Sequence, residues 1–86
     1  MNFAECKLRL QKRFPQYVCP SDYVPVTLSL RQSRADLIRV LQALESTERL
    51  RDLYKSTDQC RYANFASSAE VQRKHLLALW INYCKY

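Results

Sequence analysis

The protein has 86 residues, of which 48% are hydrophobic and 26% are charged, a composition that argues against intrinsic disorder and predicts one small folded domain over residues 1–86. Fourteen Lys and Arg residues against eight Asp and Glu give a net charge of +6, which can attract nucleic acid, an anionic membrane surface or an acidic protein. The longest uninterrupted apolar run, residues 76–81, is far shorter than the roughly 20 residues of a transmembrane helix, so we expect no membrane span.

Glycine is absent from the sequence, and all three prolines fall within residues 15–25. Turns that need a positive φ would have to use Asn or Asp, which favours helices over many tight hairpins. The proline-containing segment is predicted to be a loop inside the single domain, because neither flank is long enough to fold alone.

Two short segments on either side of this loop alternate between apolar and polar residues, which is the period of a β-strand. Residues 6–11 read CKLRLQ, and residues 26–31 read VTLSLR. The alternation predicts a short N-terminal antiparallel β-hairpin in which Leu8 and Leu28 point toward the core.

The N-terminal segment also has the pattern of a helix. Four apolar residues recur there at helical spacing, and Asn2 followed by Glu5 matches a capping box. The four apolar residues are Phe3, Cys6, Leu10 and Phe14. If residues 3–13 are helical, the hairpin loses its first strand and the fold becomes an all-α bundle.

Three helices are predicted after the hairpin. Ser33 with Asp36, and Ser67 with Glu70, match capping boxes at the start of the first and third. The three helices cover about residues 34–45, 47–56 and 68–85, and the second is expected to turn Leu50, Leu53 and Tyr54 inward. Residues 57–65 fit either a short strand or a packed loop. The predicted fold class is therefore α+β and mostly helical, a short N-terminal β-hairpin followed by three helices, with an all-α bundle as the alternative.

The last predicted helix is apolar on almost every side, since between residues 76 and 84 only Asn82 lies outside the hydrophobic set. Either this helix forms the core of the domain, or a second copy or a different protein covers part of it. Full enclosure is hard to arrange in so short a chain, and exposed apolar side chains here would form an interaction site. The predicted partner interface consists of Leu76, Leu79, Trp80, Ile81 and Tyr83.

A second predicted surface is basic. No acid interrupts residues 7–13, and the strand pairing would place cations of both strands on the outer face of the hairpin, where they could contact nucleic acid. The same cations could instead form a solvated face. The candidate nucleic-acid contacts are Lys7, Arg9, Lys12, Arg13 and Arg31. Other charges are expected to pair within helices, as Glu45 with Arg49, Asp52 with Lys55, and Glu70 with Lys74.

Residue types that carry catalysis are scarce. His75 is the only histidine, no glycine-rich loop exists to bind phosphate, and the four cysteines lack the close spacing of zinc ligands. We therefore expect no enzymatic activity, no metal ion and no cofactor. The N-terminal residues contain no uninterrupted apolar stretch that could serve as a signal peptide, so we expect an intracellular protein in a reducing compartment, the cytoplasm or the nucleus.

These features predict a non-enzymatic protein-interaction module. It would self-associate or dock a protein partner through its apolar C-terminal helix. The alternative is a small basic protein that binds RNA or DNA.

Overall fold

The computed structural model describes residues 1–17 and 28–84, apart from the side chain of Leu30. Three α-helices follow one another in this part of the chain: α1 (Phe3–Arg13), α2 (Leu28–Leu53) and α3 (Gln59–Cys84). The described residues contain no strand, so the predicted β-hairpin is wrong and the all-α alternative fits. Residues 26 and 27 of the second predicted strand, and most of the predicted loop, lie outside the described residues.

The first helix forms because its apolar residues recur every four positions. Cys6, Leu10 and Phe14 are all buried, whereas Leu8 is 61% exposed. A strand would have placed Leu8 on the same side as Cys6 and Leu10. The predicted cap is confirmed, since the side-chain Oδ1 of Asn2 accepts a hydrogen bond of 2.9 Å from the backbone N–H of Glu5.

The second helix is one continuous element where a strand and two helices were predicted. No glycine or proline occurs between Leu28 and Leu53, so nothing in the backbone interrupts the helix once it has formed. Ser33 lies inside the helix and caps nothing. Leu28, which the strand would have turned inward, is 84% exposed.

The third helix begins earlier than its predicted capping box. Asp58 precedes it, and its Oδ1 accepts a hydrogen bond of 3.1 Å from the backbone N–H of Arg61. This is the bond that an N-terminal cap makes, so Asp58, and not Ser67, starts α3. A short turn formed by residues 54–58 joins α2 to α3, and most of the segment left open by the sequence is helical.

The contacts between helices define the topology. The two helices of 26 residues, each about 39 Å long, form an antiparallel hairpin. The N-terminal helix lies beside α2 and runs in the same direction, because Phe3 lies next to Arg34 whereas Arg13 pairs with Glu48. With 11 residues, α1 is only about 16 Å long and accompanies less than half of the hairpin.

The core lies at the end of the hairpin that α1 covers. Its largest member is Trp80, which is fully buried and stacks on Tyr83 with ring centroids 5.7 Å apart. The buried residues come from all three helices and are Cys6, Leu10, Phe14, Leu37, Val40, Leu41, Leu44, Ala69, Leu76, Trp80 and Tyr83.

Candidate interaction surface

The residues predicted to form a partner interface on the C-terminal helix are largely part of the core. Leu76 and Trp80 are fully buried, Tyr83 is buried, and Leu79 and Ile81 are half-buried. Of the two predicted alternatives, the burial of Leu76, Trp80 and Tyr83 favours the one in which this helix forms the core of the domain. The first helix helps to cover these turns, since Cys6 and Leu10 belong to the same core.

The end of this core is closed by a cluster of aromatic and cationic side chains. The ring of Phe3 meets Tyr83 edge to face, with centroids 5.4 Å apart. Above Phe3 lies the guanidinium of Arg34, 4.7 Å from the ring centroid, and its Nε donates a hydrogen bond of 3.2 Å to the Tyr83 hydroxyl. The cluster provides a hydrogen-bond partner for the polar end of Tyr83.

The predicted nucleic-acid surface loses its geometric basis. It required two strands, whereas its residues lie on α1 and on the first turn of α2. Two of its five cations point toward α2 and are bound there. Arg9 donates to both carboxylate oxygens of Glu45, at 2.8 and 2.9 Å, and Arg13 pairs with Glu48. Lys12 and Arg31 are exposed, and Lys7 is half-buried.

These contacts also stabilise the charged form of Arg9. The hydrogen bonds and the negative charge of Glu45 raise the pKa of the Arg9 guanidinium above its ordinary value. A second bond of 2.9 Å joins Arg9 to Glu5 on its own helix. Arg9 is therefore held between two carboxylates, which makes it a poor contact for a phosphate.

Every acid that the structure describes is engaged by an arginine. The pairs are Glu5 and Glu45 with Arg9, Glu48 with Arg13, Asp36 with Arg39, Asp52 with Arg51, Asp58 with Arg61, and Glu70 with Arg73. The partners predicted from spacing, Arg49, Lys55 and Lys74, are not the ones that these acids use. The charge that the described surface leaves unbalanced is therefore positive.

A different surface lies at the end of the hairpin that is farthest from the core. From Glu45 to Ser68, no side chain is buried. We call this segment the distal arm. It consists of the last turns of α2, the connecting turn and the first turns of α3. Glu45 and Glu48, at its start, bind arginines of α1. The rest of the arm lies beyond the C-terminal end of α1, so no third helix packs against it among the described residues.

The distal arm exposes apolar side chains that were expected to be inward. Leu50 is 41% exposed and Leu53 is 64% exposed. Tyr54 is half-buried and stacks on Phe65 with ring centroids 5.8 Å apart. The guanidinium of Arg61 lies over the Tyr54 ring, 5.3 Å from its centroid, and donates to the Tyr54 hydroxyl at 3.3 Å. The stacked rings hold the two helices of the arm together without forming a core.

Sequence reasoning missed the arm for a definable reason. The spacing of Leu50, Leu53 and Tyr54 predicts an apolar face but does not say whether a neighbour exists to cover it. The signal that could have revealed it is helix length, because α1 has 11 residues and its two neighbours have 26 each.

The described residues include the single histidine and three of the four cysteines. They contain no group of three or more His, Cys, Asp or Glu side chains that could hold a metal ion. Burial raises the pKa of the Cys6 thiol to about 11, so this cysteine stays protonated and is a poor nucleophile at neutral pH. His75 and Cys60 are both exposed.

Comparison with protein-family models, with curated proteins and with solved structures finds no match to this chain. None of the helices in the described part of the chain is both long and apolar enough to cross a membrane.

Proposed function

We propose that this protein is a non-enzymatic protein-interaction module and that its docking surface is the distal arm. The observation that carries the proposal is the absence of any buried side chain between Glu45 and Ser68, in a segment that is nevertheless mostly helical. Helices gain most of their stability in proteins from packing an apolar face against a neighbour. In the arm, that packing is incomplete, and a partner would complete it.

The gain from covering the arm is appreciable. The exposed fractions of Leu50 and Leu53, 41% and 64%, together amount to about one whole leucine side chain. Burying one leucine side chain stabilises a complex by roughly 1.5–3 kcal/mol. The neighbouring Tyr54 and Phe65 are half-buried and belong to the aromatic type that is enriched at binding hot spots.

This proposal keeps the interaction function predicted from the sequence but moves its surface. The C-terminal half of α3, with Trp80 at its centre, serves as core, and the N-terminal half of α3 contributes to the docking surface. We place this interaction in a reducing intracellular compartment, the cytoplasm or the nucleus. The free thiols of Cys6 and Cys60 agree with that placement.

Site-specific photo-crosslinking tests the docking function. The photoreactive residue p-benzoylphenylalanine is introduced at Leu53, on the arm, in the full chain expressed in its native cells. The matched control carries the same residue at Leu28, which is even more exposed but lies at the opposite end of α2. We expect a discrete protein adduct from position 53 only. No adduct from position 53, or the same adducts from both positions, would reject the arm as a docking surface.

A further inference from the structure

We propose that the partner of the distal arm is an acidic amphipathic helix; this inference rests on the docking function proposed above. The molecule itself contains an example of how a helix packs on this hairpin. An apolar stripe of α1, formed by Cys6, Leu10 and Phe14, is buried against the core. Arginines of α1 flank that stripe and bind Glu45 and Glu48 of α2. A helix that docks on this hairpin therefore needs an apolar stripe. The charges beside that stripe must be opposite to the charges of the surface that it contacts.

From the C-terminal end of α1 onward, the charge available on α2 changes sign; Arg49 lies at this end, where it lines the same surface depression as Arg9 and Arg13. Glu48 is the last acid that α1 reaches, and Asp52 is bound by Arg51. Arg49 contacts the hydroxyl of Ser46 at 3.5 Å. Neither Arg49 nor Lys55 forms a salt bridge with any acid in the described part of the chain. The arm consequently presents cations to a partner, whereas the part of α2 that contacts α1 presents carboxylates.

These cations lie beside the exposed leucines. Arg49 and Leu53 are four residues apart and Leu50 and Leu53 are three apart, so all three lie on neighbouring positions of the α2 surface. Lys55 follows in the turn. An occupant that matches this pattern has leucine-like residues along one stripe and carboxylates beside it. Because the partner must pack against the two antiparallel helices of the arm, a helix is the element that packs best.

Charge disfavours the two other occupants. A second copy carries the same net charge of +6 and would bring its own Arg49 and Lys55 toward these residues. Nucleic acid would satisfy the cations, but its phosphate backbone provides no apolar surface to cover Leu50 and Leu53. An acidic amphipathic helix satisfies both the cations and the leucines.

The experiment uses the full chain and a defined probe. The probe is a synthetic acidic peptide of about five helical turns, with Leu at i, i+3, i+4 and i+7 and with Glu and Ala elsewhere. A control peptide carries Lys in place of every Glu. Binding is measured by fluorescence anisotropy, and hydrogen exchange locates the amides that the peptide protects.

Three variants identify the site. Leu53→Lys is expected to weaken binding by about tenfold or more, since it places a charge in the apolar contact. Arg49→Glu is expected to weaken binding of the acidic peptide by about tenfold, because like charges then face each other. The matched control Leu28→Lys adds the same charge at an exposed leucine outside the arm and should change affinity by less than about twofold.

Support requires that the acidic peptide binds, that the Lys peptide does not, and that protection is confined to residues 45–68. The proposal is overturned if the acidic peptide fails to bind at about 1 mM, the weakest affinity of interest, or if Leu53→Lys and Leu28→Lys behave alike. Photo-crosslinking from position 53 to a second copy, or to a basic protein, would also overturn the proposal that the partner is an acidic helix. In that case the docking function of the arm would stand.

Discussion

Leu8 and Leu10 provide a direct test of the N-terminal helix, because they are two residues apart and the strand and helix interpretations treat them differently. A strand places both on one face, whereas α1 buries Leu10 completely and leaves Leu8 61% exposed. Each is replaced by Ala in turn. The pair is matched in chemistry and in distance from the chain terminus, so burial is the variable that differs.

The structure sets the size of the expected difference. Replacing a fully buried leucine by alanine costs about 2–5 kcal/mol, through lost burial and the cavity that remains. Replacing an exposed leucine changes stability by about 0.5 kcal/mol or less. The total stability expected for a domain of 86 residues is about 4–13 kcal/mol, so Leu10→Ala removes a large part of it.

The two variants are compared by urea and thermal unfolding, followed by circular dichroism. We expect Leu10→Ala to lower Tm by roughly 10–30 °C, and Leu8→Ala to shift it by less than about 4 °C. Equal destabilisation by both substitutions would refute the helical assignment of residues 3–13. Greater destabilisation by Leu8→Ala would refute it as well.

Three further predictions follow from single contacts. Asp58→Ala should lower the free energy of unfolding by about 1 kcal/mol because it removes the cap of α3, whereas Ser67→Ala should leave it within about 0.5 kcal/mol. Hydrogen bonds from Arg73 lower the pKa of Glu70, so this pair stabilises the fold above the ordinary carboxyl pKa. That contribution is lost as the pH falls through the lowered value, and the stability difference between wild type and Glu70→Gln should shrink there. A thiol reagent should modify Cys6 no faster than the protein opens, because its thiol is buried and its pKa is about 11.

Each of these three predictions would be contradicted by a specific result. A larger loss from Ser67→Ala than from Asp58→Ala in chemical denaturation would restore the capping box predicted from the sequence. A stability difference for Glu70→Gln that grows on acidification would contradict the lowered pKa. Rapid labelling of Cys6 in the folded protein, detected by peptide mass spectrometry, would contradict its burial.

Two of the seven arginine–carboxylate pairs among the described residues join α1 to α2 and follow from topology, whereas the other five join residues one to four positions apart. Glu45 has Arg49 four positions away on its own helix, yet it binds Arg9 of α1. An interhelical contact of two short hydrogen bonds to one guanidinium is more favourable than a solvated pair along one helix. Because Glu45 binds Arg9, Arg49 has no salt bridge with it.

The residues themselves determine much of the local structure. The stripe of Phe3, Cys6, Leu10 and Phe14 and the cap at Asn2 indicate α1 correctly, as the alternative to a strand. The two predicted strands were wrong because an alternation over six residues also fits part of a helix. Only a longer window separates the period of a strand from that of a helix. Serines in helix interiors resemble caps, since a cap depends on where the helix starts and not on residue type alone.

The covering of the last helix was decided by tertiary structure alone. Nothing in HLLALWINYCKY states that α1 and α2 will enclose Trp80, because the enclosing residues are distant in sequence and their arrangement depends on all three helices packing together. The same holds for Leu50 and Leu53, whose apolar spacing is visible in the chain. They are exposed because a helix of 11 residues can cover only part of two helices of 26 residues. Which part it covers depends on how the three helices pack together. The hydrophobic pattern can be seen within one segment, whereas the burial of a side chain depends on which other segments pack against it.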